Sequence, residues 1–80
     1  MENREPVPLS DLIPAYLRGL RKAAGLSQVD LAATARINLR TIQRVESGIY
    51  WPSRYTVQTW ERVTWERVFG RTAARLRAAA

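Results

Sequence analysis

The chain has no cysteine and no histidine among its 80 residues. Without cysteine it can form neither a disulfide nor a thiolate metal site. Without histidine it lacks the commonest general base and metal ligand at neutral pH. Its 7 carboxylates are few, and most are placed to serve as helix caps or ion-pair partners. An enzyme is therefore not expected, nor is any cofactor or metal. No apolar run approaches the length of a membrane span, and no signal-peptide core follows Met1. The expectation is a cytoplasmic protein with no membrane contact. The length allows one small domain, near the lower limit for folding unaided, so a partner subunit would help it.

Basic residues number 13 against 7 acidic, a net charge of +6. Lysine occurs once, as Lys22, and all other basic residues are arginine. The planar guanidinium fork suits phosphate and guanine, although arginine bias also arises from GC-rich genomes and says little by itself. Met1–Leu9 is polar and holds Pro6 and Pro8, which favours an extended, loose arm. Ser10 or Ile13 is expected just before a first helix, with Pro14 in its first turn. Leu17, Leu20, Arg21 and Ala24 share one face, Gly19 weakens the interior and Gly25 closes the helix.

Residues Ser27–Gly48 carry two short helix signatures with a tight turn between them. Ser27 is an N-cap type, and Asp30 three residues on adds a weak capping-box partner. Leu31, Ala32 and Ala35 give an apolar face. Asn38 starts the second helix, with Ile37 and Ile42 spaced as a hydrophobic staple. Ile42 and Val45 point inward, and Gly48 ends the helix. Arg40, Gln43 and Arg44 are then left on the outer side. These are the side-chain types that read base edges in a major groove, while an ordinary helical hairpin with a solvated charged face is the plainer possibility.

The same run resembles the Cro/repressor-type helix-turn-helix family of bacterial and phage regulators. Ser27-Gln28, Leu31-Ala32, Asn38, Thr41-Ile42, Glu46 and Gly48 match its spacing, as do Leu17, Leu20, Arg21, Gly25 and Leu26 upstream and Pro52-Ser53 downstream. The similarity covers roughly residues 13 to 69. It implies an all-α, compact five-helix, lambda-repressor-like domain over 10–80, with the helix-turn-helix at about 28–47. It also implies that Leu39, Arg40, Gln43 and Arg44 face bases of double-stranded DNA. Arg40 or Arg44 suits guanine, Gln43 adenine, and Leu39 a thymine methyl. Gln28, Asn38, Thr41 and Arg54 are the phosphate candidates, with Arg18 and Lys22 weaker ones. The resemblance further pairs Arg21 with Glu46, since neither charge can sit unpaired beside a small core. One departure is Arg36, which stands where the family usually has glycine, so that a strained or differently shaped turn is expected.

Downstream, Ile49-Tyr50-Trp51-Pro52 forms a loop with large apolar groups. Tyr50 and Trp51 either shield the core or lie along the sugar–phosphate backbone, and packing is the expectation for Trp51. Ser53 caps a fourth helix with Val57 and Trp60 inward. Trp60-Glu61-Arg62-Val63 is then repeated as Trp65-Glu66-Arg67-Val68. Five helical steps leave an offset of about 140°, so a break near Thr64, with Thr64 capping a fifth helix, is the simpler reading. Arg62 and Arg67 are expected on a solvated face. Trp65, Val68, Phe69, Thr72 and Leu76 then form one stripe, large for so small a protein. An isologous homodimer through Trp65, Val68, Phe69 and Leu76, with Trp60 as a further contributor, follows from that stripe and from the family's habit. The other possibilities are completion of the monomer core, a protein-interaction module that masks a toxin or touches RNA polymerase, and unspecific binding of nucleic acid.

Overall fold

The computed structural model describes residues 9–79, the side chains of 9, 10, 72 and 73 excepted. The arm expected over 1–9 lies outside them, apart from Leu9, which already belongs to the first helix. All regular structure among the described residues is helical: α1 (Leu9–Ala23), α2 (Gln28–Ala35), α3 (Leu39–Glu46) and α4 (Arg54–Ala79). No helix there is long and apolar enough to cross a membrane. Pro14 sits inside α1 rather than in its first turn. It removes one backbone bond from that helix, because it has no N–H to donate to the carbonyl four residues earlier.

Local chemistry sets the helix boundaries. The Ser27 hydroxyl accepts from the Asp30 N–H at 3.0 Å, and the Asp30 carboxylate accepts in return from the Ser27 N–H at 3.4 Å. The Asn38 side chain accepts from the Arg40 N–H at 2.8 Å, and Ser53 accepts from the Thr56 N–H at 3.1 Å. The first three helices end in the same way. Gly25, Arg36 and Gly48 take positive φ, and the following N–H reaches back five residues, Leu26 to Arg21, Ile37 to Ala32 and Ile49 to Arg44. This closure satisfies carbonyls that the helix itself leaves free. At Arg36 (φ 56°, ψ 42°) it is made by a residue with a Cβ, a conformation that costs roughly 1–2 kcal/mol without glycine. The turn therefore keeps the left-handed shape and carries the strain.

Leu17, Leu26, Leu31, Ile37, Ile42 and Val45 pack around Trp60, with Ala24, Ala35 and Val63 filling the gaps. Trp60 is wholly buried, and its indole N–H donates to the Leu17 carbonyl at 2.9 Å, so its polar atom is satisfied. This corrects one expectation: Trp60 belongs to the monomer core and cannot contribute to a dimer surface.

A second correction concerns the break at Thr64. Among the described residues four helices stand where five were expected, because α4 runs unbroken for 26 residues. Thr64 is buried and does not cap a new helix. Its hydroxyl donates back to the carbonyls of Trp60 at 2.8 Å and Glu61 at 3.1 Å, which lets a polar side chain sit inside a helix. The continuous helix places apolar groups on opposite sides. Val57, Trp60 and Val63 face the core, Val68 packs against it from its edge, and Trp65, Phe69 and Leu76 are exposed. Val68 therefore leaves the outward stripe it was expected to share. At about 39 Å, α4 is the longest of these helices, and its side chains over 74–79 are exposed.

Candidate nucleic-acid interface

The helix α3 has two unlike sides. Ile42, Val45 and Glu46 are buried, which holds the helix to the body. Arg40, Gln43 and Arg44 are exposed on the other side, and Leu39 and Thr41 are half-buried at its margins. The local reason is the Asn38 cap followed by apolar groups spaced three apart, which leaves Arg40, Gln43 and Arg44 to solvent. Asn38 itself and Arg54, the first residue of α4, are also exposed.

One buried polar cluster locks this helix in place. Arg21 of α1 donates to Glu46 at the end of α3 through Nε at 2.6 Å and Nη2 at 2.9 Å. The two side chains are 11% and 5% exposed. The two-point hydrogen bond raises the Arg21 pKa above its ordinary value; burial opposes this and the Glu46 charge assists it. Arg21 Nη1 also donates to the Leu26 carbonyl at 2.9 Å. The Glu46 carboxylate accepts a third bond, from the Gln28 amide at 3.2 Å. A single carboxylate thus gathers α1, α2 and α3, and no buried side-chain polar atom among the described residues lacks a partner. With each of its buried polar atoms partnered, such a network fixes geometry strongly.

Several residues take parts that the sequence did not suggest. Arg18, a weak phosphate candidate, donates from Nη1 to the Glu46 carbonyl at 2.9 Å and so caps the end of α3. Its position three before Arg21, on the same face of α1, was the available clue. The Gln28 amide, a phosphate candidate, has one donor turned inward to Glu46. Arg67 is not merely solvated: its Nε donates to the Ala24 carbonyl at 3.0 Å, beside Arg71 Nη2 at 2.9 Å. Arg62 makes an exposed pair with Glu66 at 3.5 Å. Trp51 does not pack as expected. It is 58% exposed, with Ile49 and Tyr50 of the same loop and Tyr55 of α4 also open to solvent. Lys22 is exposed at the end of α1.

No curated protein and no solved structure matches the chain. A family model described as helix-turn-helix matches residues 17–64, from the α1 residue whose carbonyl meets Trp60 to the hydroxyl that continues α4. That span holds the capped helix pair, the left-handed turn at Arg36 and the buried Arg21–Glu46 lock, and it fits DNA binding. The chain therefore belongs to the Cro/repressor-type helix-turn-helix family of DNA-binding regulators.

Proposed function

We propose that the protein is a sequence-specific transcriptional regulator of the repressor kind, acting in the cytoplasm as a two-fold homodimer on a palindromic operator. The observation that carries this reading is the division of α3, with Arg40, Gln43 and Arg44 free together on one side and Ile42, Val45 and Glu46 anchored on the other. A helix so held can enter a major groove without losing core contacts. Arg40 and Arg44 present forks to guanine, Gln43 an amide to adenine, and Leu39 an apolar surface to a thymine methyl. Gln28, Asn38, Thr41 and Arg54 surround that helix and position it on phosphates. Occupancy of a promoter is enough for repression.

The second copy is assigned to the outer side of α4. Trp65, Phe69 and Leu76 are exposed there, and an open groove of about 420 Å³ is lined by Gln58, Glu61, Arg62, Trp65, Glu66 and Phe69. Its floor is apolar and its rim carries both signs of charge, so a two-fold copy can set Arg62 against Glu66. Such a dimer would bring two recognition helices to successive grooves, about 34 Å apart. The same aromatic groove favours a second reading, in which this face meets a different protein, such as a toxin or RNA polymerase.

The test is binding to a duplex selected from a random pool, with random duplex as control. For Arg44→Ala we expect a loss of about 1–3 kcal/mol on the selected duplex and relaxed preference at one base position. Gln28→Ala should weaken both duplexes alike. Equal losses on both for Arg44→Ala would refute base reading. Affinity that does not fall steeply with salt would favour the protein-interaction module.

A further inference from the structure

The arginines of the C-terminal half of α4 have no role in the reading above. Arg67, Arg71 and Arg75 follow one another at four-residue steps, which places them in a row along one side of the helix. Arg67 Nε and Arg71 Nη2 both donate to a single oxygen, the Ala24 carbonyl, at 3.0 and 2.9 Å. Two guanidinium groups therefore stand side by side at the end of α1, where the helix dipole is negative. Lys22 in the last turn of α1 adds a further cation. An open recess of about 250 Å³ adjoins them, lined by Ala23, Val68, Arg71 and Arg75.

One carbonyl does not neutralise this cluster, and the carboxylates among the described residues are engaged or placed elsewhere. Glu46 holds Arg21, Glu61 accepts from Tyr16, Glu66 faces Arg62 and Asp30 caps α2. Asp11 lies in the first turn of α1, at its opposite end. Among the described residues no carboxylate pairs with Arg67, Arg71 or Arg75. Exposed like charges gathered with spare donors, and with no counter-charge among the described residues, offer a site to an anion from outside. The position of the cluster indicates which one. Ala24 precedes Gln28 by four residues, so at most about 14 Å of chain separates the cluster from the start of α2, one of the segments assigned above to phosphates.

We propose that Arg67, Arg71 and Arg75 form a second, sequence-independent phosphate-contacting row, which engages the duplex backbone beyond the bases faced by α3. This rests on the DNA-binding reading and extends it to a part of α4 that lies past the family match at residue 64. The row positions the protein and reads no base. The arginines at Ala24 do double duty, closing α1 through one donor and leaving the others for phosphate.

The test uses the full chain and measures affinity against salt on selected and random duplexes. Arg75 makes no hydrogen bond or ion pair to the protein among the described residues, so Arg75→Gln should leave the thermal melt unchanged. It is expected to lower the slope of log K against log[salt] by about 1, and Arg71→Gln/Arg75→Gln by about 2. Affinity should fall by the same factor on both duplexes, with base preference intact, and Arg75→Lys should restore the slope. A wild-type slope in Arg75→Gln and in the double variant, or a changed base preference, would overturn the row while leaving the function of α3 standing. Failure of the wild-type protein to bind any duplex would remove both.

Discussion

The same four residues, Trp-Glu-Arg-Val, occur twice in α4 and meet opposite fates. In the first copy Trp60 is 0% exposed and hydrogen-bonded to α1, and Val63 is buried. In the second, Trp65 is 44% exposed and Val68 only touches the edge of the core. Glu61 accepts from the Tyr16 hydroxyl, whereas Glu66 reaches only its exposed neighbour Arg62. The arginines exchange roles in the opposite sense: Arg62 stays at the surface and Arg67 is bound to Ala24. The chemistry of the two copies is identical, so phase alone decides. A five-residue shift turns each side chain by about 140°, which carries the tryptophan from the core to the outside and brings the arginine in toward α1.

The sharpest way to break this comparison is to truncate each tryptophan. Trp60→Ala empties the centre of the core and leaves the Leu17 carbonyl without its partner. We expect a loss of about 3–5 kcal/mol, enough to unfold much of so small a domain. Trp65→Ala should cost less than about 1 kcal/mol in denaturant melts of dilute protein, yet weaken self-association in sedimentation by about tenfold or more. Equal destabilisation by the two substitutions would show that α4 is packed on both sides within one chain.

The buried lock gives the next effect, again read against the two repeat glutamates. Glu46→Ala leaves Arg21 unpaired beside the core and removes an acceptor from Gln28. The expected cost is about 3–5 kcal/mol at most. Glu61→Ala loses one partly exposed bond to Tyr16, and Glu66→Ala loses an exposed pair worth less than about 1 kcal/mol. Thermal melts should rank the three as Glu46, Glu61, Glu66. A Glu66→Ala protein as unstable as Glu46→Ala would mean that the carboxylate at the end of α3 does not organise the fold.

These contrasts also mark what the sequence could convey. The capped pair α2 and α3 was legible because its signals are local: Ser27, Asn38 and Gly48 act on their own turns, and Ile42 and Val45 repeat at helical spacing. The single helix α4 was not. A threonine between two tryptophans is as good an N-cap as a buried back-bonded residue, and the burial of Thr64 that decides between them is set by packing between helices. The outward side of α3 could be read from spacing. The engagement of Arg18, Arg67 and Arg71 with carbonyls on other helices could not, since the acceptor of each is set by packing between elements. Arg36 shows a third case. Its left-handed turn is dictated by the five-residue closure from Ile37 to Ala32, which holds even without the glycine that usually permits it.

The smallest effect separates the repeat glutamates by proton linkage. The Tyr16 phenol donates to Glu61, and its pKa is pushed up from 10.0 to about 12, first by burial, then by that hydrogen bond, then by the Glu61 charge. A phenol with a folded pKa above its unfolded value contributes stability that is fully present below pH 10. That stability is lost as pH rises from about 10 to about 12, because the unfolded chain ionises first. Tyr16 is 41% exposed, so solvent screening should hold the effect below about 1 kcal/mol. Denaturant midpoints of the wild type and Tyr16→Phe, compared at the two ends of that range, isolate it from every other alkaline titration. The wild type should lose more stability than Tyr16→Phe on going up in pH, and Glu61→Gln should narrow the gap while Glu66→Gln leaves it unchanged. If Glu66→Gln narrowed it equally, the two copies would be electrostatically equivalent at Tyr16, and the distinction drawn from phase would not extend to their carboxylates.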